Sequence, residues 1–382
     1  MTQFCRILRQ LLPGLCLICL ICMLTFGSVS AFAKPIKIAA IFARTGKAAN
    51  SNRTAILGTQ LAVREINRQG GLLGKRIDLL LFDNKSTPIG SHLAAEQAVK
   101  AGVSGIIGSS WSSHSLAVAK VAEKYGIPMI SPISTIPSLT AIGDSIFRIC
   151  YNDDFQGSTL AGFAFTDLNA RSAVIFVDIT SDFSMYIAKV FSRTFVSLGG
   201  TILKEIEYKG GQDDFREAIR ETLGHPADIV FLSGYYESGF IAAGLQAAGS
   251  KAVPIGTDGW DAASFFSSGG NTITRGYFIN HWLPADTSPR SRAFVEKYAG
   301  EAELFAPTAL AYDAVHVLAA AIEMAGEPDR DKILDSLRKV QGFKGVTGDI
   351  TFDRQGNAAK RACIAEIREG VPHFLKCTGS EN

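Results

Sequence analysis

From Ile36 onward, short apolar runs alternate with helical stretches, and this alternation leaves few folds open to the chain. Residues 36–42, 76–82, 103–107, 128–131 and 146–150 read as buried strands. Between them, 54–69 places Ala55, Gly58, Ala62 and Ile66 on one face and ends at Gly70-Gly71. Residues 90–100 read as a second helix, and Leu116, Ala119 and Ala122 stripe a third. Tyr151-Asn152-Asp153-Asp154 is polar and aperiodic and reads as a crossing point, after which the pattern restarts. Strands at 173–177, 201–208, 228–232 and 253–255 alternate with helices at 185–198, 213–223 and 239–248. Beyond the strand 276–280 come helices at 290–299, 308–325 and 330–340, then a hairpin of 361–368 with 373–376. Two successive βαβ series imply an α/β fold with two mainly parallel sheets flanked by helices.

The stretch 103–135 concentrates the polar features. Two strand ends run into Ser/Thr-rich turns, one around Ser112 at the start of a helix and one at Ser134-Thr135. In an open α/β sheet, small ligands sit beyond the carboxyl ends of the strands. Helix-start amides beside serine hydroxyls suit a small anion such as a carboxylate. Neither series carries a dinucleotide glycine fingerprint, and Gly71-Leu72-Leu73-Gly74-Lys75-Arg76 lacks the spacing and hydroxyl of a phosphate loop. No nucleophile elbow, HExxH or metal-ligand cluster stands out, so no cofactor or metal is expected and the chain reads as a binder.

Residues 1–33 read as a secretory signal: Arg6 and Arg9 start it, an apolar core runs over 11–23, and Ala31-Phe32-Ala33 supplies the cleavage site. The chain has 38 Lys+Arg against 36 Asp+Glu. Removing a leader that holds two arginines and no acid leaves 36 against 36, which gives no electrostatic case for nucleic acid. Four cysteines leave with the leader, and Cys150, Cys363 and Cys377 remain in a compartment that permits disulfides. Cys363 and Cys377 are equidistant from Gly370, the expected hairpin tip, which suits a bridge and leaves Cys150 a buried thiol.

Four fragments carry a resemblance. Ile66-Asn67 with Gly70-Gly71-Leu72-Leu73-Gly74 comes first, then Gly126-Ile127-Pro128-Met129-Ile130-Ser131-Pro132. Phe147-Arg148 with Asp154-Phe155-Gln156-Gly157 follows, and Asp258-Gly259-Trp260-Asp261 closes the set. In this order the chain closely resembles the leucine/isoleucine/valine-binding proteins, type I periplasmic substrate-binding proteins of ABC importers. The resemblance implies a monomer of two lobes, 36–152 with 283–357 and 153–282 with 358–382, joined by three crossovers. It implies hinge closure on an amino acid or close analogue in the cleft, delivery to an inner-membrane ABC permease, and no catalysis. A secreted sensor of the same fold, binding an amide, urea or aromatic carboxylate and signalling to a receptor, is the alternative.

Carried over by position, Ser112 would hold a ligand carboxylate. Thr135 would contact both ends of the α-amino acid group, the Ile133 carbonyl would accept from the ammonium, and Asp258 would pair with it. Phe183 and Tyr235 would cover the ligand. Trp111 stands where the family has a small residue or Cys, and would either shrink the pocket or stack on a flat ligand. Ser51 stands where an aromatic is common. Ser113 reads as a helix cap, His114 as a surface or capping residue, and Asp261 and Tyr312 as structural. Of Tyr235 and Tyr236, an extended chain would turn one in and one out. His281 and Trp282 fall at a crossover.

Overall fold

The computed structural model describes residues 34–301 and 303–379; the expected signal sequence at 1–33 lies outside the described residues. The first sheet contains β1 (Ile36–Phe42), β2 (Ile77–Asp83), β3 (Gly105–Gly108), β4 (Met129–Ser131) and β5 (Ile146–Arg148), in the order β2-β1-β3-β4-β5. Every pairing in it is parallel. Parallel strands are covered by helices on both faces, and β1 shows the consequence in its composition. Ile36, Ile38, Ala40 and Phe42 pack on one side with Leu310, Val315 and Leu318 of the helix Ala306–Ala325. Ala39 and Ile41 pack on the other with Ala94 and Ala98 of Pro88–Ala101 and Val118 and Ala119 of Ser112–Lys124. Successive strand residues point to opposite faces, so an uninterrupted apolar strand feeds two cores. The helix Ala306–Ala325 is buried around most of its circumference, which explains why it is apolar along its length.

The second sheet contains β6 (Ser172–Asp178), β7 (Thr201–Tyr208), β8 (Ile229–Leu232), β9 (Val253–Gly256) and β10 (Arg275–Asn280), all parallel. A small antiparallel pair, β11 (Phe343–Gly345) and β12 (Gly348–Ile350), precedes the last two strands. β13 (Ala362–Arg368) and β14 (Val371–Thr378) extend the second sheet antiparallel to β10, giving the order β14-β13-β10-β9-β8-β6-β7. β6 divides its side chains as β1 does, Ile175 and Val177 to one core and Val174 and Phe176 to the other.

The chain passes between the sheets three times: after β5, after β10 and before β13. The polar run at 151–154 is more than a passage. Asn152 caps a helix, Asp153–Thr166, by accepting from the Phe155 amide at 3.0 Å, and the acids at 153 and 154 lie in its first turn, where the helix dipole favours them. The expected bridge forms: Cys363 and Cys377 pair across the β13–β14 ladder and are disulfide-linked, while Cys150 is a buried free thiol. The hairpin turns at Glu369 and Gly370, both at positive φ, and a Cβ on Gly370 would stand 2.0 Å from the Asn271 carbonyl oxygen.

Candidate functional site

The chain leaves β1 and β3 towards opposite faces of the first sheet, and leaves β6 and β8 towards opposite faces of the second. Such divergence opens a crevice at the strand ends. One cavity, about 440 Å³ including its mouth, is lined from both sheets and brings together all seven residues expected from sequence: Trp111, Ser112, Ile133, Thr135, Phe183, Tyr235 and Asp258.

On the first-sheet side, Trp111 is the extended N-cap of the helix Ser112–Lys124, and its carbonyl takes the amides of His114 and Ser115. Ser112 is therefore the first helical residue and Ser113 is not the cap. His114 is buried, not at the surface: it stacks 5.4 Å from Trp111, and burial pushes its imidazole down to about 4. The turn bearing Ile133 and Thr135 is held by Arg148, whose Nη1 donates to the carbonyls of Thr135 and Ile136, both at 2.8 Å. The Thr135 carbonyl also accepts from the Asp153 amide at 2.9 Å. Among the described residues nothing donates to the Ile133 carbonyl.

On the second-sheet side, Ser181 caps the helix Asp182–Ser197 and so sets Phe183 in its first turn. Tyr235 stacks on Phe183 at 5.1 Å and on Trp111 at 4.4 Å, with planes 3° apart in the second pair. Tyr235 thus occupies a face of the indole, and Trp111 narrows the cavity. Burial, reinforced by Asp258 and Asp153, pushes the Tyr235 phenol well up, although its oxygen accepts from the Ser181 side chain and the Ser112 amide. Tyr236 does not turn outward. Both tyrosines are half-buried near Ala48 and Trp111, because 234–236 form a turn and not an extended run.

Asp258 follows β9 in a short 3-10 turn capped by the Thr257 hydroxyl. Its amide donates to Gln156 Oε1 at 3.0 Å, and its Oδ2 meets His281 Nε2 at 3.1 Å. His281 in turn stacks on Tyr151 at 3.8 Å. The other oxygen, Asp258 Oδ1, is buried without a hydrogen-bond partner among the described residues. Burial and the nearby Asp258 charge push the Asp153 carboxyl well up.

Other lining residues, Ser51, Ser110, Asp261, Ala262 and Pro307, carry no ligand role in the sequence reading. Ser51 Oγ lies 2.8 Å from Ser264 Oγ, joining the two sides. Asp261 is structural, as expected: its Oδ2 accepts at 2.6 Å from the Ala306 amide, capping a helix of the first-sheet side, and burial pushes its carboxyl up to about 7. Tyr312 packs at 4.9 Å from Phe294 and donates to Glu65 at 2.7 Å. Trp282 Nε1 donates to Ser291 Oγ at 2.8 Å, so the pair 281–282 splits, one residue bracing Asp258 and the other anchoring the first core.

Set beside known proteins, the fold and the cavity have clear counterparts. A family profile described as "Periplasmic binding protein" matches residues 35–370. The Leu/Ile/Val-binding protein BraC3 of Rhizobium johnstonii is 29% identical over 333 residues, covering 86% of this chain and 90% of that one. The leucine-binding protein LivK of Thermotoga maritima superposes with a TM-score of 0.86 at 33% identity, over 90% of this chain and 99% of that one. LivJ of Streptococcus pneumoniae, solved in complex with isoleucine, also gives 0.86, at 31% identity over 91% and 100%.

Proposed function

Because this chain belongs to the type I periplasmic binding proteins, in the Leu/Ile/Val-binding family, we propose that it is the solute-binding component of an ABC importer and holds an α-amino acid in the cavity between its two sheets. The lobes of this reading are 36–152 with 283–357 and 153–282 with 358–382. The protein works as a monomer in the periplasm after removal of its leader, catalyses nothing, and presents its closed form to the permease.

One observation carries the reading. Ser112 and Thr135 line the cavity from one side, and from the other it is lined by a buried carboxylate, Asp258, whose Oδ1 has no partner among the described residues. Donors on one side and an acceptor on the other match the carboxylate and ammonium of a zwitterion, and exclusion of water strengthens both sets of charge-assisted bonds. Ligand contacts made from both lobes supply the differential affinity that shifts an open–closed equilibrium.

The test is a thermal-shift screen of refolded, ligand-stripped protein against the proteinogenic amino acids, amides, urea and aromatic carboxylates. A ligand at a hundred times its dissociation constant adds about 2.7 kcal/mol of stability. We expect α-amino acids to raise the melting temperature. Asp258→Asn should weaken their binding by about 2–4 kcal/mol, roughly 30- to 1,000-fold. Silence from every amino acid overturns the reading. Hits confined to carboxylates without an amine remove the role given to Asp258.

A further inference from the structure

The cavity has polar lining residues that a zwitterion's head group leaves unexplained. Ser110 lies between β3 and the turn that starts the helix Ser112–Lys124, and it lines the cavity. The residue is 8% exposed, and its Oγ has no hydrogen-bond partner among the described residues. A buried hydroxyl left bare costs about 1–3 kcal/mol, which a hydrogen-bonding ligand group would recover. Ser51 lines the same cavity from the first turn of the helix Ala49–Arg68, which follows β1, the strand paired with β3. Its hydroxyl and that of Ser264 bond across the gap. Asp261, also lining, is bonded to the amide of Ala306, one residue before the lining Pro307. An aliphatic side chain packed against Ser110 would leave its buried hydroxyl without a partner.

From the unpartnered Ser110 hydroxyl, in a cavity that Ser51 and Asp261 also line, we infer that Ser110 determines specificity and that the ligand is an α-amino acid with a short hydroxyl or carboxamide side chain. This rests on the zwitterion reading above and narrows it. A second cation is a poorer fit. The Asp261 carboxylate already receives the amide at a helix start, where the dipole balances its charge. The serines are neutral and can either donate or accept.

The experiment compares isosteric pairs on ligand-stripped protein by calorimetric titration: threonine against valine, and asparagine against leucine. A pocket built to bond a hydroxyl rejects the analogue that lacks it, whereas an apolar pocket discriminates weakly against an added hydroxyl. We expect threonine to bind at least about tenfold more tightly than valine, and Ser110→Ala to bring that ratio close to one. The ratio is the readout, because a structural defect would lower both affinities together. Ser110 Oγ makes no bond within the described residues, so the variant retains its fold; a matching melting curve checks this. Valine or leucine binding as tightly as its polar partner overturns the inference and leaves the zwitterion reading standing. Lysine or ornithine binding best overturns the neutral side-chain class. A threonine preference that survives Ser110→Ala overturns the role of Ser110, and failure of all amino acids overturns the reading beneath it.

Discussion

Replacing Arg148 by lysine tests whether one buried guanidinium sets the floor of the cavity. Arg148 is 1% exposed. Its Nε donates to Asn357 Oδ1 at 2.7 Å, its Nη1 to the carbonyls of Thr135 and Ile136 at 2.8 Å and of Ser134 at 3.4 Å, and its Nη2 to the Pro137 carbonyl at 3.2 Å and Thr140 Oγ1 at 3.1 Å. A planar fork can serve acceptors spread along a turn, while an ammonium offers three donors from a single point. At least two of these acceptors therefore lose their donor in Arg148→Lys. At about 1–3 kcal/mol for each buried group left bare, the expected loss is about 3–5 kcal/mol, a large part of a typical folding free energy. For a domain the size of one half of this chain, a loss of that order lowers the melting temperature by about 6–20 °C. Because the turn carries Ile133 and Thr135, amino-acid affinity should fall by about tenfold as the site loses its preset geometry. Calorimetric melts with and without ligand read both effects. A variant melting within about 2 °C of the parent would refute the claim that this fork is what holds the turn.

Two further outcomes follow from the same geometry. Burial raises the Asp261 carboxyl to about 7, so the fold binds its proton more tightly than the unfolded chain does. The stability this contributes is complete below the ordinary carboxylate range, about pH 4, and is lost as pH rises to about 7. Asp261→Asn should therefore flatten the fall in melting temperature between those values, and an unchanged slope would remove Asp261 as its source. The Cys363–Cys377 bond closes a sequence separation of 14 residues. Replacing both cysteines by serine should cost about 3 kcal/mol in denaturant melts and leave amino-acid affinity unaltered, since neither lines the cavity.

The strands were the legible part of the sequence because their apolar runs are short and bounded by turn residues; β1 matches its expected span, Ile36–Phe42. The helix Asp153–Thr166 escaped notice for a physical reason. Its first turn is polar, and Gly157 interrupts its apolar face, whose buried residues Leu160, Ala161, Phe163 and Ala164 come late. The expected site residues follow strand ends, where position alone indicates a cleft, and the resemblance supplied their roles. Partnerships made only by folding were out of reach: His281 and Asp258 are 23 residues apart and belong to different turns. A cap at Ser113 would start the helix at His114, two residues later than its actual start after the extended Trp111, which is why the sequence reading of Ser113 and His114 fails. An unpartnered hydroxyl such as Ser110 Oγ leaves no periodic trace in the sequence.

Every residue lining the cavity lies in a turn, a short 3-10 helix or the first turn of a helix; none lies within a strand. The strands and the residues that line the cavity are therefore separate sets. Under the proposed function, substitutions at 51, 110 or 262 would retune selectivity without excavating either core, so a lineage would change its diet while keeping its scaffold.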